Sequence, residues 1–333
     1  MAGHDSEQMT APDLPAELRV ALDARLQGVS RIDAAARAAS ISRTYRDGGG
    51  STAIRSETDA LAYALARMPA TYAAVTASLN ALREVNPGFA PQTLLDVGAG
   101  PGTATWAAAE AFSSLQSFAL LDANNALRAL ALDLSASSTR LRELDYRRGD
   151  ARTTLADADP ADLVVASYMI GEAGDAERGA LIELMWAKTR GTLLIVEPGT
   201  PAGYRRIIAA RQQLIAAGAH AAAPCQHDGK CPLSTPDWCH FTQRLPRSRA
   251  HKQVKDAELP FEDEKFSYLA LTRAPVAARP TRVLAQPVVG KVEVTAKLCT
   301  PDGLVIAKVP RRAKADYARA RRWRWGDAVM AEN

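Results

Sequence analysis

The chain has 333 residues, 47% hydrophobic and 23% charged, with a net charge of +4. That length buries a sizeable core, and the composition is that of an ordinary soluble globular protein, not a disordered or fibrous one. No apolar run reaches the roughly 18 residues a membrane-crossing helix needs. The first 13 residues carry Asp5 and Glu7 and no apolar core, unlike a secretory signal or transit peptide, so a cytoplasmic protein without a membrane partner is expected.

In chain order, residues 1–12 read as a disordered tail and 13–88 as a helical region. Leu14, Leu18, Leu22 and Leu26 fall at helical spacing, and the glycines after Asp47 break the pattern. A new helix is expected from Ser56, whose hydroxyl can cap the first turn, with Asp59 three residues on. Pro69 predicts an interruption, hence two helices or a kinked one.

Residues 89–217 change texture. Short apolar runs at 94–95, 118–121, 163–166 and 193–196, with a weaker one near 144–146, alternate with helix-like segments. Such runs suit strands buried on both faces, and their spacing leaves room for crossover helices. The expectation is a doubly wound, mainly parallel α/β sheet of Rossmann-like type.

Residues 218–262 are rich in Pro, Cys, His and charge, and read as an irregular insertion. Strand texture resumes within 263–310, first at 266–271 and then as a hairpin turning at Pro301-Asp302-Gly303; these strands are expected to complete the sheet. Residues 311–333 form a basic tail. Residues 221–333 hold 20 Lys and Arg against 12 Asp and Glu, whereas the rest hold 21 against 25. That final third suits a polyanionic partner, or simply a solvated face.

Chemistry concentrates in two places. The first is the turn Asp96-Val97-Gly98-Ala99-Gly100-Pro101-Gly102, between a strand and a helix. Its glycines allow a tight turn and close backbone approach to a ligand, and the following helix points its positive end at the loop. Asp122, at the next strand end, can accept both hydroxyls of a ribose. Asp150, after the third strand, can meet an adenine amino group.

The second place is the cysteine set, Cys225, Cys231 and Cys239 spaced Cys-x5-Cys-x7-Cys, with Cys299 at the hairpin. Four thiolates on one metal would hold down a segment poor in apolar residues. Zinc on four sulfurs, zinc with His227 or His240 replacing one, and an iron–sulfur cluster all remain open on spacing. Arg244, Arg247, Arg249 and Lys252, and in the tail Arg321, Arg322 and Arg324, interleave with aromatics and are candidates for RNA contact.

The glycine loop with its acidic partners resembles class I methyltransferases, which have a seven-stranded sheet. That resemblance implies S-adenosylmethionine as cofactor, with Asp96, Gly98, Gly100 and Gly102 at its methionine end, Asp122 on the ribose and Asp150 on the adenine. Ser167–Glu172, after the fourth strand, is not the Asn/Asp-Pro-Pro-Tyr/Phe loop of amino-group methyltransferases, so no catalytic residue is assigned. Glu172 and Glu197 are possible bases.

Together with Ser42–Arg46, Tyr63–Tyr72 and Trp238-Cys239-His240-Phe241, the cysteine pattern resembles the methyltransferase-like proteins of the mitochondrial small ribosomal subunit and their bacterial relatives. The likeness covers most of residues 35–310. It implies a [4Fe–4S] cluster on Cys225, Cys231, Cys239 and Cys299, and binding to small-subunit ribosomal RNA in support of assembly and translation. The chain is read as a monomeric bacterial relative. An active methyltransferase on ribosomal RNA or protein, and a small-molecule methyltransferase with a zinc-stapled lid, are the rival readings.

Overall fold

The computed structural model describes residues 13–27, 29–46, 49–247, 252, 258–277 and 279–329. The tail assigned to residues 1–12 lies outside them, as does Arg249. Among the described residues, no helix is long and apolar enough to cross a membrane.

Helices α1 (Ala16–Leu26) and α2 (Arg31–Arg46) precede the long α3 (Glu57–Val85). Ser56 caps α3 through a reciprocal capping box with Asp59, as its position in the sequence suggested. Of the two outcomes expected at Pro69, the split into two helices does not occur: α3 is one helix of 29 residues with Pro69 inside it. Proline removes one backbone hydrogen bond. Here an alanine-rich helix buried on several sides, from Ala60 to Val85, gains enough from packing to run through.

The central sheet comprises β1 (Thr93–Val97), β2 (Ser117–Asp122), β3 (Asp145–Arg148), β4 (Ala161–Ser167), β5 (Thr189–Pro198), β6 (His220–Ala223), β7 (Phe241–Pro246) and β8 (Phe261–Thr272). Its order is β3-β2-β1-β4-β5-β8-β6, with β7 also paired to β8. The first five strands are parallel and β8 runs against β5. The sheet therefore has eight strands, not seven.

Alternate side chains along the strands enter two cores. Leu94, Leu120, Leu163 and Leu194 pack under α3, α4 (Thr103–Ala111) and α5 (Asn125–Ser135). Leu95, Leu121, Val164 and Leu193 pack under α6 (Ala151–Ala156), α7 (Asp175–Ala187) and α8 (Pro201–Ala216). This is the doubly wound arrangement expected. Strand order reverses around β1, which opens a crevice at the carboxyl ends of β1, β2 and β4.

Two expectations for the C-terminal third are corrected. Residues 218–262 are not irregular throughout, because β6 and β7 both belong to the central sheet. The run His-Ala-Ala-Ala of β6 has little intrinsic strand preference; its burial against β8 makes it a strand. Nor do the later strands all complete that sheet. Only β8 does. β9 (Thr281–Val283), β10 (Val288–Val289), β11 (Glu293–Thr300), β12 (Gly303–Pro310) and β13 (Ala328–Val329) form a second sheet, and α9 (Lys314–Ala320) lies in the basic tail. The second sheet has its own small core of Val283, Ala296 and Leu298 with Trp323 against it, so it needs no edge of the first.

Strand β8 is long enough to overhang. Its residue Phe266 pairs with Pro198 at the end of β5, so residues 261–265 project beyond the carboxyl edge and are paired there only by β7. Loss of the α3 cap tests the N-terminal packing. Ser56→Ala should lower unfolding free energy by about 1 kcal/mol, read as a lower denaturant midpoint at unchanged slope; an unmoved midpoint would mean the cap adds nothing.

Candidate functional site

The glycine turn after β1 is built as its residues require. Gly98 has φ +69°, and a Cβ there would stand 2.6 Å from Cβ of Met169, so no other residue fits without displacement. Gly98 and Ala99 donate to the carbonyl of Leu121, and Gly100 donates to Asp122 Oδ2 at 2.9 Å. The Tyr146 hydroxyl donates to the Gly100 carbonyl at 2.6 Å. A cavity of about 640 Å³ opens beside the turn, lined among others by Gly98, Gly100, Asp122, Asp150, Tyr63 and Tyr168.

The three carboxylates differ. Asp122 lines the cavity, accepts from Gly100 and Asn124, and is raised above the usual carboxylate range by burial, against its backbone hydrogen bonds. Asp150 lines the cavity but is exposed, and caps α6 by accepting from Arg152 and Thr153. Asp96 is fully buried beneath the turn; its Oδ2 accepts from the Thr105 amide and hydroxyl, and its Oδ1 has no partner. Burial pushes Asp96 up to about 7, outweighing the two bonds from Thr105.

Sequence reasoning missed the opposite wall. Tyr168, at the end of β4, has φ +56°, a conformation costly for an aromatic residue and frequent at functional sites. Its hydroxyl donates to Glu264 Oε1 at 2.8 Å, on the β8 overhang, and Arg67 of α3 pairs with the same oxygen at 3.3 Å. These partners are separated in sequence by 96 and 197 residues, so no local signal connects them.

The two possible bases are both engaged. Glu197 is 1% exposed and pairs with Arg206 at 2.6 Å. Glu172 accepts from the amide and hydroxyl of Ser51, at 3.1 and 3.2 Å, while Asn124 donates to the carbonyls of Ser51 and Ile54. Ser51 itself lines the cavity. The short turn Ser51–Ala53 is thereby strapped across the cavity mouth.

Cys225 and Cys231 lie in the loop from β6 to β7, Cys239 closes that loop, and Cys299 comes from β11. All four are free thiols, each partly buried. Burial, then the Cys225, Cys231 and Cys299 sulfurs, pushes Cys239 well above the usual thiol range. Burial, then Cys225 and Cys231, pushes Cys299 up to about 12. Among the described residues, no group of three or more metal-binding side chains is drawn together.

His240 lies between Trp238 and Trp325, with ring centroids 5.0 and 4.7 Å away, while His227 Nδ1 is buried without a partner. From α8, Tyr204 and Arg211 reach the sulfurs of Cys231 and Cys225.

The basic candidates divide. Arg244 pairs with Asp263 through two bonds and lies over Phe261, and Arg247 pairs with Glu262. Lys252 is partly buried. Arg321, Arg322 and Arg324 are exposed. Trp323 and Trp325 pack inward instead of standing free to stack on bases.

Residues 57–330 match the family described as mitochondrial small ribosomal subunit Rsm22. The human mitochondrial ribosome assembly protein METTL17 is 31% identical over 292 residues, covering 81% of this chain and 62% of that protein. The fission yeast mitochondrial Rsm22-cox11 tandem protein 2 is 28% identical over 240 residues, covering 62% of this chain and 31% of the yeast protein. The chain therefore spans less than two thirds of either relative.

Among solved structures, magnesium protoporphyrin IX methyltransferase from Synechocystis, with bound S-adenosylmethionine, has 12% identity and a TM-score of 0.41, covering 78% of this chain and 98% of its own. A putative RNA methyltransferase from Pyrococcus horikoshii has 12% identity and a TM-score of 0.37, covering 58% and 79%. Neither score is high enough to carry an argument. The expected cytoplasmic location is overturned: the matching family and both relatives are mitochondrial by description.

Two outcomes test this geometry. The folded protein holds a proton on Asp96 that the unfolded chain releases near 3.8, so stability drawn from it is full at low pH and is lost as pH rises through about 7. Asp96→Asn should flatten unfolding free energy between those pH values; an unchanged slope would mean Asp96 is ionised throughout. Glu172→Ala should speed amide hydrogen exchange at Ser51 several-fold, for a partly solvated bond worth up to about 1 kcal/mol. Unaltered exchange would mean that Glu172 does not hold the strap.

Proposed function

The chain belongs to the Rsm22 family of the mitochondrial small ribosomal subunit, and from that membership we propose that it supports assembly of a small ribosomal subunit of the mitochondrial type, binding S-adenosylmethionine in the β1–β4 crevice and holding a [4Fe–4S] cluster on four cysteines. The observation that carries this reading is the family match, whose span of residues 57–330 includes both the crevice and all four thiols. Human METTL17, named as a ribosome assembly protein, supports the assembly role.

The residues fit the cofactor. The cavity volume falls within the roughly 300–1,000 Å³ of small-molecule sites. Gly98 and Gly100 bring backbone against it, and Asp122, which lines it, is the proposed ribose partner. When bound, S-adenosylmethionine would supply an electrophilic methyl group. The carboxylates that could take a proton from an acceptor, Glu172, Glu197 and Glu264, are committed to Ser51, Arg206 and the Tyr168–Arg67 pair. Glu197 keeps a buried oxygen without a hydrogen-bond partner among the described residues, but neither it nor Glu264 lines the cavity, so no catalytic base is assigned and the cofactor's proposed role is to order the crevice.

The proposed cluster rests on donor chemistry, since four thiols are the ligands an iron–sulfur centre takes. The four thiols come from the β6–β7 loop and β11, and His240, the neighbouring alternative ligand, is held between two tryptophans. When bound, the cluster would tie the loop to the second sheet and make that joint sensitive to oxidation. Ribosomal RNA is proposed to meet the exposed Arg321, Arg322 and Arg324, and also Lys252 and Arg249, which follow the ion-paired Arg244 and Arg247 in the sequence, Arg249 lying outside the described residues.

Cosedimentation with small ribosomal subunits across a salt series tests the assembly role. Binding is expected in moderate salt. The triple variant Arg321→Glu, Arg322→Glu, Arg324→Glu should flatten the salt dependence by about 2 in log–log slope, at about 0.7 per lost phosphate contact. No association of the wild-type protein removes the reading. In parallel, Asp122→Asn should weaken S-adenosylmethionine binding, measured by calorimetry, at least about tenfold, and equal affinity would displace Asp122 from the ribose.

A further inference from the structure

Helix α8 carries a buried arginine that neither the crevice nor the fold accounts for. Arg211 is 2% exposed. Its Nε donates to Cys225 Sγ at 3.3 Å, one terminal nitrogen donates to the Gly229 carbonyl at 2.8 Å, and the other to the His227 carbonyl. Arg206 and Arg279, also partly buried, pair with Glu197 and Asp228, whereas Arg140 is held by backbone carbonyls alone; Arg211 differs from all three in donating to a sulfur. Among the described residues, no carboxylate forms an ion pair with Arg211. Tyr204, two turns earlier on the same helix face, places its hydroxyl 3.4 Å from Cys231 Sγ.

A guanidinium cannot shed its proton, so burying it requires an anion nearby. Two loop carbonyls satisfy its hydrogens but not its charge; a neutral glutamine could donate to those. Asp228, between His227 and Gly229 in the sequence, is paired with Arg279 and His220, so the group in direct contact with Arg211 that can carry negative charge is the Cys225 sulfur. We infer that Arg211 is the built-in counter-charge of the thiolate centre, clamping the Cys225–Cys231 loop through three contacts and favouring the more negative, reduced state of whatever those sulfurs hold. This rests on the reading of the four cysteines as cluster ligands. Adding an electron adds negative charge beside a fixed cation and an N–H···S hydrogen bond, so both stabilise the reduced cluster more than the oxidised one.

The test is a potentiometric titration of the full chain, purified with its cluster under anaerobic conditions and read by electron paramagnetic resonance. Arg211→Gln should lower the reduction potential by at least 59 mV, a tenfold shift in a one-electron equilibrium. Arg211→Lys, which keeps the charge but not the planar fork, should lower it by less. A glutamine variant with its iron intact and an equal or higher potential overturns the inference. So does a lysine variant shifted as far as the glutamine one, because charge would then not be the agent. If the glutamine variant fails to hold iron, the lysine variant decides: a cluster retained with a potential lowered by less than 59 mV supports the counter-charge, and a lost cluster or a larger drop overturns it. Wild-type protein without iron and sulfide defeats the cluster reading itself, a result distinct from all of these.

Discussion

Strand β8 is the constraint on which the rest depends. One of its edges pairs with β5, and the other pairs first with β7 and then with β6, so a single strand of 12 residues joins the parallel sheet to everything that follows. Because β6 and β7 share one edge of β8, the chain between them must leave the sheet and return to the same strand. That excursion carries Cys225, Cys231 and Cys239. The overhang of β8 beyond β5 also places Glu264 over the crevice, where it receives Tyr168 from β4 and Arg67 from α3.

Crevice and thiols are thereby neighbours by construction. Trp238, next to Cys239, donates to the carbonyl of Gly199 just beyond β5, and the Gly199 amide donates to Lys265 of the overhang. Ser267 of β8 donates to the Cys239 carbonyl. A short hydrogen-bonded path thus leads from the ends of the parallel strands to the sulfurs. The second sheet is attached at the same place, through Cys299, Lys297 on Asp237, and Trp325 on His240.

Local chemistry was legible in the sequence, and distant pairing was not. Gly98 and Gly100 announced the turn because only glycine tolerates its backbone, Ser56 announced its helix because a hydroxyl must cap free amides, and Pro301-Asp302-Gly303 announced the β11–β12 hairpin. The burial of Asp96 beneath its own loop was hidden, since a carboxylate in a glycine turn reads the same whether it faces a ligand or Thr105. The Arg67–Glu264–Tyr168 set was hidden because it is assembled from three distant segments. Strand β6 was missed because three alanines carry no strand signal until β8 lies beside them. Arg211 looked like any arginine of a surface helix, and only its burial sets it apart.

The central claim is that sulfurs from a loop and from a separate sheet share one inorganic centre. Native mass spectrometry of the anaerobically purified chain tests it most directly. The account predicts a mass above that of the polypeptide by four irons and four sulfides, lost together when Cys299 is replaced by serine. A chain at its bare polypeptide mass, or one carrying a single zinc ion, would contradict it.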